Sequence, residues 1–433
     1  MAVITEKTKK TLLFLLLFSA LILRLYYLPE LEKHTFFYVD EVRYYRTAIQ
    51  FMQKGFIGFN SSTPNSFITP GFILFMAGVF TAADRLLGSG INYVHVLSVT
   101  QAFLSVAILL FIYLLARQIA GEKTAFLALL LSIAYPPFIS ANAKVMTEVL
   151  STFFFIIYLY LAAKYTPSPR WKGHFAAGTF LALTVLVRPT PAPLLFVPYL
   201  LAALPFPLRQ RNFLKHWLAA VNWKGLLLCF LAFSLVMLPW WVRNYNIYHR
   251  FVPFSTEGPD PFLRGMDPYD PVGNQGERVI RGVPPEKQFE RALELFKEGV
   301  KRDPALWLKW FTIGKTQFLW ARPWGYVPFW KFSFSKYYHQ IVVLLLGWSG
   351  LFLSLQDRRF WWPASVPIYF TLIHLLFLPV RRYAFPVIPV MFIFAAWLIV
   401  KAGQKTAVAV STLLSRDLRE PPGRKGPPPD ATG

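Results

Sequence analysis

Apolar runs close to the length that crosses a bilayer, roughly 20 residues, recur along the whole chain, separated by short polar or basic segments. The first, residues 11–28, follows Lys7, Lys9 and Lys10, an opening shared by signal peptides and membrane helices. No small-residue cleavage site comes after it; the chain continues through Arg24, Tyr26, Tyr27 and Pro29, so the run reads as a retained span with a cytoplasmic start. Residues 69–87 are also apolar, but Pro70, Gly71 and Gly78 interrupt them and Asp84 and Arg85 close them. Placing this segment in the interface plane lets residues 92–115 run inward to Arg117 and Lys123, as the Lys/Arg excess of cytoplasmic loops requires. Alternation then assigns spans to 124–140, 149–163, 175–187, 191–205, 225–241, 339–355, 361–378 and 384–400. A long loop, 243–338, falls outside, and within it 286–302 has helical periodicity (Phe289, Leu293, Phe296, Val300), which predicts a small packed element.

The pattern therefore predicts an all-α, polytopic transmembrane helical bundle of about ten spans with both termini cytoplasmic and juxtamembrane helices in the first outer loop. Residues 1–405 form one transmembrane domain that includes the outer loops 29–90 and 243–338. Residues 406–433 read as a cytoplasmic polar tail, rich in Pro, Gly and charge towards its end and expected to be disordered.

Composition agrees: 55% of the 433 residues are hydrophobic and 15% charged, against about a quarter charged in soluble domains. The formal charge of +23 raises the possibility of nucleic acid, but the basic residues cluster between apolar runs and form no continuous basic face. Nucleic acid is accordingly not an expected partner. The single cysteine, Cys229, excludes an intramolecular disulfide and a cysteine-based metal site.

Threading the chain this way brings its edge-of-membrane charges to one face, the extracytoplasmic one. There lie Asp40, Glu41 and Arg43 of the first outer loop, Asn142, Lys144 and Glu148 of the next turn, Arg188, Arg243 at the start of the long loop, and Arg381 and Arg382 between the last two spans. Ionisable groups near hydrocarbon are costly unless paired or functional. An acidic residue of such a set can act as general base on a hydroxyl, and arginines can hold a phosphate. No Gly-x-x-x-x-Gly-Lys loop, Gly-x-Gly-x-x-Gly, His-Glu-x-x-His or Asp-x-Asp occurs, so nothing predicts a nucleotide domain or a metal-bound nucleotide sugar. The seven histidines are scattered and read as core or interface filling. From residues alone, transfer from an anionic lipid and transport of one remain alternatives.

Six segments resemble GT-C type, polyprenyl-phosphate-sugar-dependent glycosyltransferases, which include the bacterial protein O-mannosyltransferase-like enzymes and the lipid A aminoarabinose transferases. They are YVDEVRYYRTAIQFMQKGF, ITPGFILFMAGVF, YPPFISANAKVMTEVLSTFF, LTVLVRPTPAPLL, LPWWVRNYNIYHRFVPFSTEG and RRYAFPVIPVMFIFAAW, in the family's order from about Leu12 to Val400. The resemblance implies that Asp40 is the catalytic base with Glu41 beside it, and that Glu148 is a second acidic residue facing the site. Arg43, Lys144, Arg243, Arg381 and Arg382 are then candidates for the donor phosphate. The aminoarabinose transferases continue into further spans and a soluble region, a departure from their pattern.

The function expected is inverting glycosyl transfer from a polyprenyl-phosphate sugar (hexose or pentose) to a glycan, lipid or protein hydroxyl at the outer face of the plasma (inner) membrane. No cofactor is required; a divalent cation is compatible with the site but not called for. A flippase of lipid-linked anions would instead show an inverted repeat and broken helices at the midplane, and no repeat is evident. A non-catalytic lipid-binding subunit would not need Asp40 and Glu41. The tryptophans Trp307, Trp310, Trp320 and Trp324 are expected to seat the long loop on the membrane, with sugar stacking as the alternative.

Overall fold

The computed structural model describes residues 5–36, 38–88, 90–204, 212–271, 273–324 and 333–417. All regular structure among them is helical. Helix α1 (Glu6–Glu32) starts where the Thr5 hydroxyl accepts from the Thr8 amide, satisfying one orphan donor of the first turn. It leads to α2 (Val39–Lys54), which Gly55 ends at φ 74°, and to α3 (Gly71–Leu87). The Asn92 side chain caps α4 (Tyr93–Ala120) by accepting from the Val94 and His95 amides. A single residue, Gly121 at φ 86°, turns α4 into α5 (Glu122–Ile133).

Pro136 then forces Tyr135 out of the helical region, and the chain bends by 64° into α6 (Pro136–Ser140) and its one-turn extension. Helices α7 (Glu148–Tyr165) and α8 (Trp171–Val187) follow, then the short α9 (Val197–Ala203) and α10 (Phe213–Ala220), and the long α11 (Trp223–Tyr248). A compact insertion holds α12 (Pro259–Arg264), α13 (Glu277–Ile280), α14 (Gln288–Arg302), α15 (Pro304–Lys309) and α16 (Lys315–Trp320). Helices α17 (Ser333–Ser354), α18 (Trp361–Leu376) and α19 (Ile388–Asp417) complete the chain.

The bundle packs through small residues. A Cβ on Gly178 of α8 would lie 2.0 Å from the Cys229 carbonyl oxygen of α11, so the two backbones touch there, as small residues at membrane helix interfaces allow. Arg24, fully buried in α1, donates to the Ser105 hydroxyl of α4 at 2.8 Å and to the Ala20 carbonyl at 3.0 Å. One core fills the main bundle; a second, around Phe72, Ile73, Met76 and Phe80, lies under α2 and α3.

Among the described residues, five helices are long and apolar enough to cross a membrane: α1, α4, α7, α11 and residues 381–409, with the bent α5–α6 pair as a sixth. The protein is thus a multi-pass helical membrane protein. Other expected spans coincide with apolar helices shorter than a full crossing, including α8 and residues 192–203, and the expected span 339–355 falls almost entirely within α17. Alternating charge locates such segments but does not measure them, so the expected count of about ten is not reached on helix length. Segment 69–87, expected in the interface plane, forms α3 and is not among the candidate spans. Helix α19 continues through residue 417, so the first part of the tail expected to be disordered is helical; residues 418–433 lie outside the described residues. Arg209 and Arg211, between the expected spans 191–205 and 225–241, also lie outside them.

The packed element predicted in the long loop is present, with Leu263, Met266, Ile280, Ala292 and Trp307 as its core. Its helix turns differently from the expectation. Ala292 and Gln288 of α14 are buried, whereas Phe289, Leu293 and Phe296 are 56%, 38% and 40% exposed. Trp307, Trp310, Trp320 and Trp324 are all buried, which corrects both roles expected of them. The Trp310 indole donates to the Gly265 carbonyl at 3.0 Å and the Trp320 indole to the Thr371 hydroxyl at 3.0 Å. The first bond holds the insertion together and the second fastens it to α18 of the bundle.

Candidate functional site

The starts of α2 and α7, the end of α8 and the segment Arg381–Val387 meet at one end of the bundle, and each delivers a charged side chain there. Asp40 is the second residue of α2, where the unsatisfied amides of a helix start favour a carboxylate. Its Oδ2 accepts from Arg382 at 2.8 Å, and its Oδ1 lies 3.9 Å from Arg43. Glu148 opens α7 and is buried; its Oε1 takes a short hydrogen bond from the Arg188 guanidinium at the end of α8 and stands 3.9 Å from Arg382 Nε. Arg188 Nε also donates to the Thr147 hydroxyl at 2.6 Å. The Tyr383 ring lies beneath both guanidinium groups, at 5.3 Å from Arg188 and 5.6 Å from Arg382. The result is a four-membered array of alternating charge, Asp40–Arg382–Glu148–Arg188, built from residues far apart in sequence.

Arg382 is under-satisfied in this array. Apart from the bond to Asp40, its NH1 reaches only the Met146 thioether at 3.9 Å, and its buried Nε, 3.9 Å from Glu148, has no hydrogen-bond partner among the described residues. One Glu148 oxygen is likewise buried and unpartnered. Such groups are costly to leave unpaired, which favours an incoming ligand.

Other candidates are used elsewhere. Glu41 is fully buried and accepts from the Tyr38 amide at 3.0 Å and the Val145 amide at 3.1 Å, stapling the start of α2 to the turn before α7. Burial pushes its carboxyl up, opposed by these hydrogen bonds and by Lys144. Lys144 donates to the His34 carbonyl, and burial pushes its amine down against the pull of Glu41. Arg243 donates to the Ser66 hydroxyl (2.8 Å) and the Asn244 side-chain oxygen (3.1 Å), and to the carbonyls of Ile57 (3.0 Å) and Asn65 (2.8 Å). The structure therefore does not bring Glu41, Lys144 or Arg243 into the charged array. Arg43 and Arg381 are exposed at its rim. Arg243→Met is expected to loosen the loop 57–66, read as new trypsin or hydrogen-exchange sensitivity confined to that loop.

A cavity of about 640 Å³ opens beside the array. Its polar wall includes Tyr44, Thr147, Arg188, Glu257, His374 and Arg382. Away from these it is lined by Pro191, Pro193, Phe233 and Phe370, and Phe196 and Phe230, each 45% exposed, stand at its margin on the bundle's flank. Asp40 and Glu148 sit behind the wall, linked to the cavity through Arg382 and Arg188.

Sequence reading missed Glu257, although it lies within the segment LPWWVRNYNIYHRFVPFSTEG. Burial first, then the charges of Asp260 and Asp40, push its carboxyl up to about 7 against Arg382 and Arg188. Lys315 was missed too: its buried amine donates to the carbonyls of Leu375, Leu376 and Phe377, at 2.9, 3.5 and 3.2 Å, capping α18 and fixing the strip that carries Arg382. Among the described residues no group of three or more His, Cys, Asp or Glu side chains is placed to hold a metal ion.

The fold of this multi-pass helical membrane protein has counterparts among known families and solved structures. Residues 73–240 match the family model described as dolichyl-phosphate-mannose-protein mannosyltransferase. Among solved structures, the chain is similar to the oligosaccharyltransferase AglB from Archaeoglobus fulgidus, in complex with an inhibitory peptide and a dolichol-phosphate. The identity is 14% and the TM-score 0.54, over 96% of this chain and 53% of that one. It is also similar to ArnT from Cupriavidus metallidurans bound to undecaprenyl phosphate, at 14% identity and TM-score 0.51, over 93% of this chain and 63% of that one. The chain spans about half the length of the oligosaccharyltransferase and less than two thirds of ArnT. No curated protein matches it.

Proposed function

We propose that this protein is an inverting membrane glycosyltransferase that moves a hexose or pentose from a polyprenyl-phosphate donor to an extracytoplasmic hydroxyl acceptor. The observation that carries the reading is the continuity of one cavity from an apolar flank to two arginines. A polyprenyl tail fits the flank between Phe196 and Phe230 and remains in the bilayer, while its phosphate meets Arg188 and Arg382. Structures of AglB with a dolichol-phosphate and of ArnT with undecaprenyl phosphate support a donor of this class.

In this reading the phosphate competes with Asp40 for Arg382, which frees the Asp40 carboxylate. Asp40 then takes the proton of the acceptor hydroxyl, whose oxygen attacks the anomeric carbon. The bond from that carbon to the phosphate oxygen breaks, and the lipid phosphate leaves with the electron pair, held by the arginines. Charge neutralisation by arginine makes no demand for a metal ion. The acceptor approaches from the Asp40 side, opposite the cavity, which accounts for inversion. The sidedness and the cytoplasmic termini proposed here follow the distribution of Lys and Arg along the chain.

The test is to incubate the purified protein with a panel of polyprenyl-phosphate sugars and a membrane extract as acceptor, following transfer and hydrolysis by mass spectrometry. Consumption of one or more donors is expected. Folded protein that consumes none of them overturns the reading.

A further inference from the structure

Glu257 is the one carboxylate among the described residues in the cavity wall, and the reaction above does not use it. Its position is fixed by its backbone. The Thr256 amide donates to the Ser66 carbonyl at 2.8 Å, and the Trp240 and Trp241 indoles donate to the carbonyls of Phe254 and Pro253, at 2.6 and 2.9 Å. Downstream, the Asp260 amide donates to the Glu257 carbonyl at 2.9 Å and the Leu378 amide to that of Pro261 at 2.8 Å. The segment is thus tied to α11, to the first outer loop and to the strip leading to Arg382.

The side chain is treated oppositely. Asp40 is paired with Arg382, Glu148 with Arg188 and Asp260 with Arg264, but no hydrogen bond or ion pair among the described residues engages the Glu257 carboxyl. A rigid backbone presenting an unengaged carboxyl to a cavity is the arrangement of a ligand contact awaiting its ligand.

Charge decides which part of the ligand it meets. A phosphate goes to the arginines and is repelled by a carboxylate. An apolar tail occupies the flank. What remains of the donor is its sugar, whose hydroxyls are hydrogen-bond donors. We propose that Glu257 reads the donor sugar, accepting hydrogen bonds from its hydroxyl or amino groups and rejecting acidic sugars by like-charge repulsion. The proposal rests on the glycosyl-transfer reading and deepens it, because it names a chemical class of sugar.

The groups facing Glu257 are Asp40 and Tyr44 from α2, Arg188 from the end of α8, Asp260 from α12, His374 from α18, and Arg382 with Tyr383. His374 holds its Nδ1 against the Phe370 carbonyl at 2.7 Å and is not available to pair with the carboxyl through that atom. Burial and the two aspartates raise the carboxyl to about 7, so it ionises as pH rises through neutrality. The ionised form accepts hydroxyl donors and repels acidic sugars best, so the preference for neutral sugars strengthens from about pH 6 to about pH 8.

The experiment uses the full chain in detergent with two purified donors, an undecaprenyl-phosphate neutral hexose and its hexuronic acid counterpart. Wild type is expected to favour the neutral donor, increasingly so as pH rises. Glu257→Gln should lower kcat/KM for the neutral donor by roughly 10- to 100-fold, mainly through KM. It should also narrow the neutral-to-acidic ratio and flatten its pH dependence, whereas Glu257→Asp retains both. Elution profile and thermal melting confirm that the variants are folded; a Glu257→Gln protein that fails to fold leaves the wild-type ratio and its pH dependence to decide. Wild type that turns over donors without the pH-dependent preference, or a folded Glu257→Gln with the wild-type ratio, overturns this inference alone. Wild type that neither binds nor consumes either donor, or any other of the panel, overturns the glycosyl-transfer reading and this inference together.

Discussion

Asp40→Asn is expected to lower sugar transfer by roughly a hundred- to ten-thousand-fold, the usual contribution of a positioned general base, in a protein that still folds. The substitution is nearly isosteric and preserves one oxygen that can accept from Arg382. Asp40 is 34% exposed, so neutralising it does not strand a buried charge. The loss should therefore appear in kcat, while binding of the polyprenyl-phosphate donor, measured separately, is kept or strengthened as Arg382 is released from its ion pair. A folded Asp40→Asn protein with wild-type transfer would remove Asp40 from the chemistry. Glu41→Gln makes the useful contrast. Its carboxyl is spent on two backbone amides and does not line the cavity beside the array, so its effect should be on melting temperature more than on the ratio of transfer to donor binding.

Adjacent in sequence, Asp40 and Glu41 illustrate what a linear reading can and cannot resolve. Both are acidic residues at the start of a predicted juxtamembrane helix, and that much was legible: α2 forms, and its first turn carries both. Which one faces the array depends on the turn of the helix and on where residue 145 comes to rest, a contact between segments about a hundred residues apart. The arginines behave similarly. Arg243 and Arg382 both follow apolar runs and share the same chemistry, yet one meets backbone carbonyls and the Ser66 hydroxyl while the other meets Asp40. Charge distribution identified the end of the bundle where they gather, because ionisable groups avoid hydrocarbon. It could not rank them. Glu257 escaped notice because it sits in an irregular stretch whose path is set by the first outer loop and α11, with no periodicity to flag it.

Arg188→Met should cost more than any single surface change, because it strands Glu148. That carboxylate is only 1% exposed, and its close partner among the described residues is the Arg188 guanidinium, with Arg382 Nε at 3.9 Å. Removing one partner of a buried pair typically costs about 3–5 kcal/mol, since the remaining charge keeps its desolvation penalty without its compensation. A marked drop in melting temperature in detergent is expected, together with loss of the donor-phosphate contact that Arg188 offers the cavity. The double variant Arg188→Met with Glu148→Gln separates the two effects. Neutralising the stranded carboxylate should restore much of the stability and none of the transfer, a non-additivity that residues in direct contact produce. Recovery of both would mean that Arg188 serves only to neutralise Glu148 and that the lipid phosphate depends on Arg382. A double variant no more stable than Arg188→Met alone would show that the cost lies instead in the Thr147 hydrogen bond and the stacking on Tyr383.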